Sequence, residues 1–256
     1  MQLEGKSAIV TGSSSGIGRA AALALANAGA DVIVNGNSNM EAAEEVAHEI
    51  EQCGRKSIAV KADVSNSDDV DRLVTQAVGS FGKVDILFTN AGVFHMGMIE
   101  DHTPDIWLET LNVNLTGQFL TCQRVIPEMK KLGKGKIVNN GSIFGHQGVI
   151  GCIAYGVSKM GVHGMTRCLA VELAPHKINV NAVAPGCITT AMTDDFFVAM
   201  GNGDKEAGKQ EVVKSYPIGR LGQPDDIGNA VVYLASDAAD FITGQILFID
   251  GGYSVP

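Results

Sequence analysis

KSAIV at residues 6–10, Thr11-Gly12-Ser13-Ser14-Ser15-Gly16-Ile17-Gly18 and RAAALALANAG at 19–29 form one continuous stretch. The first part is an apolar strand pattern, the last an alanine-rich helical one, and three glycines lie between or at their junction. A strand that turns through glycines into a helix N-terminus presents backbone N–H groups and the positive end of a dipole to an anion. Gly12 would permit the turn, Gly16 would let backbone approach a pyrophosphate, and Gly18 would let the helix pack closely on the strand. Three residues separate the first two glycines, unlike G-x-G-x-x-G, and the lysine of a nucleotide-triphosphate loop is missing. The stretch predicts dinucleotide binding rather than phosphoryl transfer; its bland rival is an ordinary Gly-rich turn.

Outward from this loop, apolar runs recur at SAIVT, ADVIVN, SIAVK, VDILFTN, GKIVNNGS, KINVNAVAP and ILFID, with helical stretches between the early ones. That rhythm predicts a doubly wound parallel sheet with helices on both faces, an α/β Rossmann fold in which ligands sit at the carboxyl ends of the strands. With 256 residues and neither linker nor repeat, a single domain over 1–256 is expected. The start MQLEGKS lacks signal-peptide regions and no run is long enough to span a membrane, so a cytoplasmic protein with no membrane partner is expected. Cys53, Cys122, Cys152, Cys168 and Cys187 show no C-x-x-C spacing, which predicts buried thiols rather than a disulfide scaffold or zinc cluster. A net charge of −9 argues against a nucleic-acid surface.

Tyr155 and Lys159 stand four residues apart in AYGVSK, with Ser142 thirteen residues upstream. If residues 152–170 are helical, phenol and ammonium share one face. A phenol with a pKa near 10 is a poor acid–base catalyst at neutral pH, and an adjacent lysine cation favours its ionised form. An isolated Y-x-x-x-K also arises on solvated helices, so the glycine loop is what gives the spacing weight.

The chain resembles the classical short-chain dehydrogenase/reductase family, including its bacterial acyl-carrier-protein ketoreductases and glucose dehydrogenases. The matching segments, in order, are TGSSSGIG at 11–18, DV at 63–64, NAG at 90–92, NVNLTG at 112–117, GS at 141–142, YGVSK at 155–159, PG at 185–186 and the closing GRLGQPDDIGNAVVYLASDAADFITGQILFIDGG. The resemblance implies NAD(P)-dependent interconversion of a carbonyl and a secondary alcohol. It assigns Ser142 to the substrate oxygen, Tyr155 to proton exchange, Lys159 to lowering the tyrosine pKa and binding the nicotinamide ribose, and Asn114 to supporting a water linked to the lysine; Asn112 is a nearby competitor. It further implies cofactor contacts from Gly12, Ser14, Ser15, Gly16, Ile17 and Gly18, from Asp63 and Val64 beside adenine, from Asn90, Ala91 and Gly92, and from Pro185, Gly186, Ile188 and Thr190. Asp63 has a second reading as a helix cap.

At the end of the second strand, VIVNGNSN offers Asn37 and Ser38 but no carboxylate before Glu41, and Ser15 stands where a basic residue is frequent among NADP-using relatives. Either NAD or NADP is expected, the missing carboxylate favouring NADP. For the substrate, the resemblance brings forward His95, Phe144, His146, Cys152, Cys187, Phe196 and Phe197, an adaptable apolar enclosure for a small or medium ketone, secondary alcohol or 3-oxoacyl thioester. The two histidines keep a sugar or polyol open, or are loop residues facing water. No metal site is expected. Residues 194–212 read as a helical lid or an interface segment, and the resemblance implies a homotetramer, the apolar helices at 104–129 and 152–170 resembling the interface elements of related enzymes. Alternatives of another class are a catalytically silent dinucleotide-binding regulator and a structural oligomerisation protein.

Overall fold

A computed structural model describes residues 2–255. Seven strands form one parallel sheet in the order β3-β2-β1-β4-β5-β6-β7: β1 (Ser7–Val10), β2 (Asp31–Gly36), β3 (Ser57–Lys61), β4 (Ile86–Thr89), β5 (Gly135–Asn140), β6 (Ile178–Pro185) and β7 (Ile246–Ile249). Each falls on one of the seven apolar runs. Because successive side chains alternate across the sheet, each strand feeds two cores. Val10, Val32, Val34, Phe88 and Val138 pack under helices α1 (Gly16–Asn27), α2 (Met40–Gln52) and α9 (Pro224–Ala235), whereas Ile9, Ile33, Leu87, Ile137 and Val180 meet the other layer. That second layer is α3 (Ser67–Phe81), α5 (Gly117–Leu132) and α6 (Ile153–Leu173). The strands are covered on both faces, which explains why they read as unbroken apolar runs.

The expected helical stretch at 104–129 is interrupted. Helix α4 (Pro104–Leu111), opened by Thr103 capping the Ile106 N–H at 3.3 Å, runs into a π-helical turn at Asn112–Thr116 before α5. A π turn inserts a residue into the helical ladder and commonly marks a functional position; here it carries Asn114 inward, fully buried. Residues 194–213 form two short helices, α7 (Asp194–Met200) and α8 (Lys205–Val213), that pack on each other. The strand order reverses between β1 and β4, and the crevice of such a sheet lies at the carboxyl ends of its strands beside that switch. No helix among the described residues is long and apolar enough to cross a membrane.

Candidate active site

A cleft of about 700 Å³ opens along the carboxyl ends of the strands, within the size range of small-molecule sites. Gly12 (φ +60°) and Gly16 (φ +54°) sit in the left-handed region that favours glycine, and between them the chain folds over the start of α1. Ser15 makes no side-chain capping bond there and the first turn of α1 holds no carboxylate, so its N–H groups and dipole end remain available to an anion. A Cβ on Gly18 would lie 2.2 Å from the Gly12 carbonyl oxygen. Gly18 therefore serves close packing of α1 and does not itself line the cleft, whereas Gly12, Ser14, Ser15, Gly16 and Ile17 do.

A buried polar lattice holds these loops together. Asn35 at the end of β2 accepts from the Gly12 N–H at 3.0 Å and donates to the carbonyls of Gly36, Val60 and Ala62, while its own N–H reaches Ser13 Oγ. Thr11 Oγ1 accepts from the N–H groups of Asn90 and Ala91, Asn90 Nδ2 donates to the Thr11 and Gly12 carbonyls, and Asn140 Nδ2 donates to Asn90 Oδ1. Buried polar groups bonded to one another in this way fix one geometry. Asn35, Thr11 and Asn140 escaped sequence reasoning; the detectable signal is an asparagine closing an otherwise apolar buried strand, as in VIVN and KIVNN.

Ser142 follows β5, and its Oγ accepts from the Phe144 N–H at 3.1 Å. Tyr155 and Lys159 lie on α6, as the spacing predicts, and both line the cleft with Ser142. Phe94 and Phe144 hold the Tyr155 ring edge-on, at centroid distances of 4.9 and 6.1 Å. Burial pushes the Tyr155 phenol up to about 12, opposed by a hydrogen bond with Ser142. Burial also lowers Lys159 to about 7. The lysine Nζ donates to the Asn140 carbonyl at 2.8 Å and stands 5.4 Å from the Tyr155 ring centroid. Both groups are desolvated, which disfavours both ionised forms. Asn114 Oδ1 accepts from Val93 N–H at 2.7 Å, and its Nδ2 donates to the Val93 carbonyl and to Ser158 Oγ, which itself donates to the Tyr155 carbonyl. It braces the loop after β4 against α6; Asn112, its competitor, lines the cleft wall instead.

Asn37, Ser38, Asp63, Val64, Asn90, Ala91, Gly92, Pro185, Gly186, Ile188 and Thr190 also line the cleft. Asp63 Oδ1 accepts from Ser65 N–H and Oγ, while Asn66, not Asp63, caps α3. The glycine cradle, the open helix end and the buried Asn140 Oδ1 without a partner fit a polar, phosphate-bearing ligand such as a dinucleotide.

The substrate-side residues scatter more. Phe144 touches Tyr155, and Cys152 is buried close by, its thiol pushed up by burial. His95 Nε2 stands 3.2 Å from Glu109 Oε2 on the cleft wall. His146 is exposed and packs its ring against Phe248, 5.3 Å away. Phe197 is a correction: it is completely buried in a small core with Val212, Tyr216 and Leu221, against which Phe196 and Cys187 pack, so it anchors α7 to α8 rather than walling a pocket. Phe94 and Glu109 are the substrate-side residues that sequence reasoning missed. Among the described residues no cluster of three or more His, Cys, Asp or Glu is placed to hold a metal ion, and all five cysteines are free.

Residues 12–254 match the Enoyl-(Acyl carrier protein) reductase family. The chain is 39% identical, over 96% of its length and 97% of the relative's, to a 3-oxoacyl-acyl-carrier-protein reductase FabG of Staphylococcus aureus. It is 38% identical to the (2S)-[(R)-hydroxy(phenyl)methyl]succinyl-CoA dehydrogenase subunit BbsD of Thauera aromatica, over its whole length and 99% of that chain. A crystal structure of a short-chain type dehydrogenase/reductase from Mycobacterium marinum superimposes with a TM-score of 0.92 at 35% identity, covering 100% of this chain and 98% of that one. With glycine cradle, ordered motifs and sheet all in agreement, the chain belongs to the classical short-chain dehydrogenase/reductase family and is an NAD(P)-dependent oxidoreductase.

Proposed function

We propose that this enzyme interconverts a small or medium ketone, or a 3-oxoacyl thioester, with its secondary alcohol, using Ser142, Tyr155 and Lys159. The observation that carries the reading is their convergence on one cleft wall beside the glycine cradle. A bound nicotinamide dinucleotide supplies or takes the hydride. Ser142 Oγ–H donates to the carbonyl oxygen, where negative charge gathers during reduction. Tyr155 delivers its proton to that oxygen, and the reverse transfer serves oxidation. Lys159 in its protonated form stabilises the phenolate this leaves on Tyr155, which regains its proton from solvent. Asn114 acts through Val93 and Ser158 as a positioning residue.

On this reading the first turn of α1 holds the pyrophosphate, Asp63 and Val64 flank the adenine, and Asn37 and Ser38 meet the adenosine ribose. No carboxylate stands at 36–38 to repel a 2′-phosphate, which favours NADP. Helices α7 and α8 close over the substrate, excluding water during transfer. The enzyme is read as cytoplasmic, and the exposed apolar row Ile153, Val157, Met160 and Val171 along α6, with Leu108 on α4 and Phe119 on α5, supports assembly as a homotetramer.

The test is paired NADH and NADPH oxidation, with the reverse reductions, across small ketones, cyclic secondary alcohols, 3-oxoacyl thioesters and aldoses. Carbonyl turnover with a preference for NADPH is expected. Dinucleotide binding without turnover of any member would overturn the reading in favour of a silent regulator.

A further inference from the structure

Five asparagines are buried among the described residues, Asn35, Asn114, Asn139, Asn140 and Asn181. Four of them use both ends of the side-chain amide. Asn35 bonds to Gly12 and Gly36, and Asn114 to both main-chain polar groups of Val93. Asn139 accepts from Thr89 Oγ1 at 2.8 Å and donates to Thr166 Oγ1 at 2.9 Å, while Asn181 accepts from the Gln245 N–H and donates to the Ile242 carbonyl. Asn140 is the exception: its Oδ1 is buried without a partner. Leaving a buried acceptor unbonded costs more than a typical bond contributes, so this position calls for a donor.

The orientation of this amide is fixed by its neighbours. Asn90 Nδ2 donates to the Thr11 and Gly12 carbonyls, both at 3.0 Å, which leaves Asn90 Oδ1 as an acceptor. Asn140 meets that oxygen with its Nδ2, also at 3.0 Å. Turning the Asn140 amide over would set two oxygens against each other, so the atom left over is the acceptor. The main-chain carbonyl of Asn140 already accepts from Lys159 Nζ at 2.8 Å and Gln118 Nε2 at 3.2 Å. Oδ1 is the acceptor this cleft-lining residue has left.

Its place along the cleft selects the donor. On one side Asn140 is tied through Asn90 to Gly12 in the glycine cradle; on the other its carbonyl holds Lys159, beside the Tyr155 ring. In a nicotinamide dinucleotide the group joining the pyrophosphate to the nicotinamide ring is a ribose, whose hydroxyls can donate. Resting on the cofactor placement proposed above, we infer that Asn140 Oδ1 accepts a hydrogen bond from a hydroxyl of the nicotinamide-side ribose, which makes this side chain a binding group for the reacting half of the cofactor.

The test is a binding titration, by fluorescence or calorimetry and without substrate, of wild type, Asn140→Leu and Asn140→Asp. The ligands are the preferred nicotinamide dinucleotide and analogues lacking the 2′- or the 3′-hydroxyl of that ribose. Leucine fills a similar volume but accepts nothing, whereas aspartate keeps the acceptor and drops the donor to Asn90. In wild type, removing one of the two hydroxyls is expected to weaken binding about three- to tenfold, the scale of one hydrogen bond. Asn140→Leu is expected to weaken the parent by a similar factor and to erase most of that discrimination, and Asn140→Asp to retain it. The 3-acetylpyridine analogue, whose ring substituent has no N–H, should be disfavoured equally by wild type and Asn140→Leu. Equal affinity of wild type for the parent and both deoxy analogues, or an undiminished preference in folded Asn140→Leu, overturns the inference. So does loss of the preference in Asn140→Asp as well, which would assign the effect to the Asn90 bond, or a change confined to the acetylpyridine analogue, which would assign it to the carboxamide. A wild-type protein that binds no nicotinamide dinucleotide overturns the cofactor placement itself and this inference with it.

Discussion

Lys159 is 2% exposed and makes one hydrogen bond, to the Asn140 carbonyl. Its pKa falls from 10.5 to about 7 through burial. Between those values the unfolded chain binds the proton more readily than the folded one, so this group's contribution to stability rises with pH through that window and is lost as pH falls toward 7. Lys159→Met should therefore flatten the stability–pH profile between pH 7 and 10.5 relative to wild type. At pH 7 it should stabilise the fold by roughly 1–3 kcal/mol while abolishing most turnover, which denaturant titration and steady-state rates would check. A variant less stable than wild type at pH 7 would contradict the desolvation account. The Tyr-x-x-x-Lys pair was legible because helical spacing puts both groups on one face. Their pKa values were not, because they follow burial, to which Phe94 and Phe144, brought against the Tyr155 ring by the fold, contribute.

Among the elements, strand ends and their loops were the most legible parts. A parallel strand covered on both faces must be apolar throughout, and a loop that turns into a helix N-terminus needs glycine where φ is positive, so both constraints leave marks in the chain itself. On the proposed reading, the end of β2 sets cofactor choice. Gly36 is a poor place to probe it, since a Cβ there would stand 3.1 Å from both Met40 Sδ and Ala43 Cβ. Asn37 is exposed on the cleft edge, and Asn37→Asp should shift the kcat/KM ratio toward NAD over NADP by about tenfold or more through repulsion of the 2′-phosphate; an unchanged ratio would place the ribose elsewhere. Less legible was the pair α7 and α8, because the sequence of FFVAM does not reveal which phenylalanine turns inward. Gly208 lies so close to α7 that a Cβ would sit 1.8 Å from the Phe197 carbonyl oxygen. Gly208→Ala should separate the two helices, raising KM for substrate severalfold while leaving dinucleotide affinity intact; binding and kinetic assays on the same preparation distinguish the two effects.

At the scale of the whole molecule, two surface features lie outside the fold's own needs. One is the apolar row along α6, whose spacing of four, three and eleven residues from Ile153 to Val171 keeps it on one side of the helix. Val157→Glu/Met160→Glu should yield a smaller sedimenting species with the secondary structure preserved; an unchanged sedimentation coefficient would assign the assembly to another face. The other is the cleft, whose lining joins the open end of α1 to Ser142, Tyr155 and Lys159. Both features emerge only when segments far apart in the chain are brought together. The central claim, that Tyr155 supplies the proton, is tested most directly by comparing carbonyl-dependent nicotinamide turnover and dinucleotide binding in wild type and Tyr155→Phe. A fall in kcat of about 10²–10⁴-fold with dinucleotide affinity nearly unchanged is predicted. A folded Tyr155→Phe enzyme turning over at the wild-type rate would contradict it.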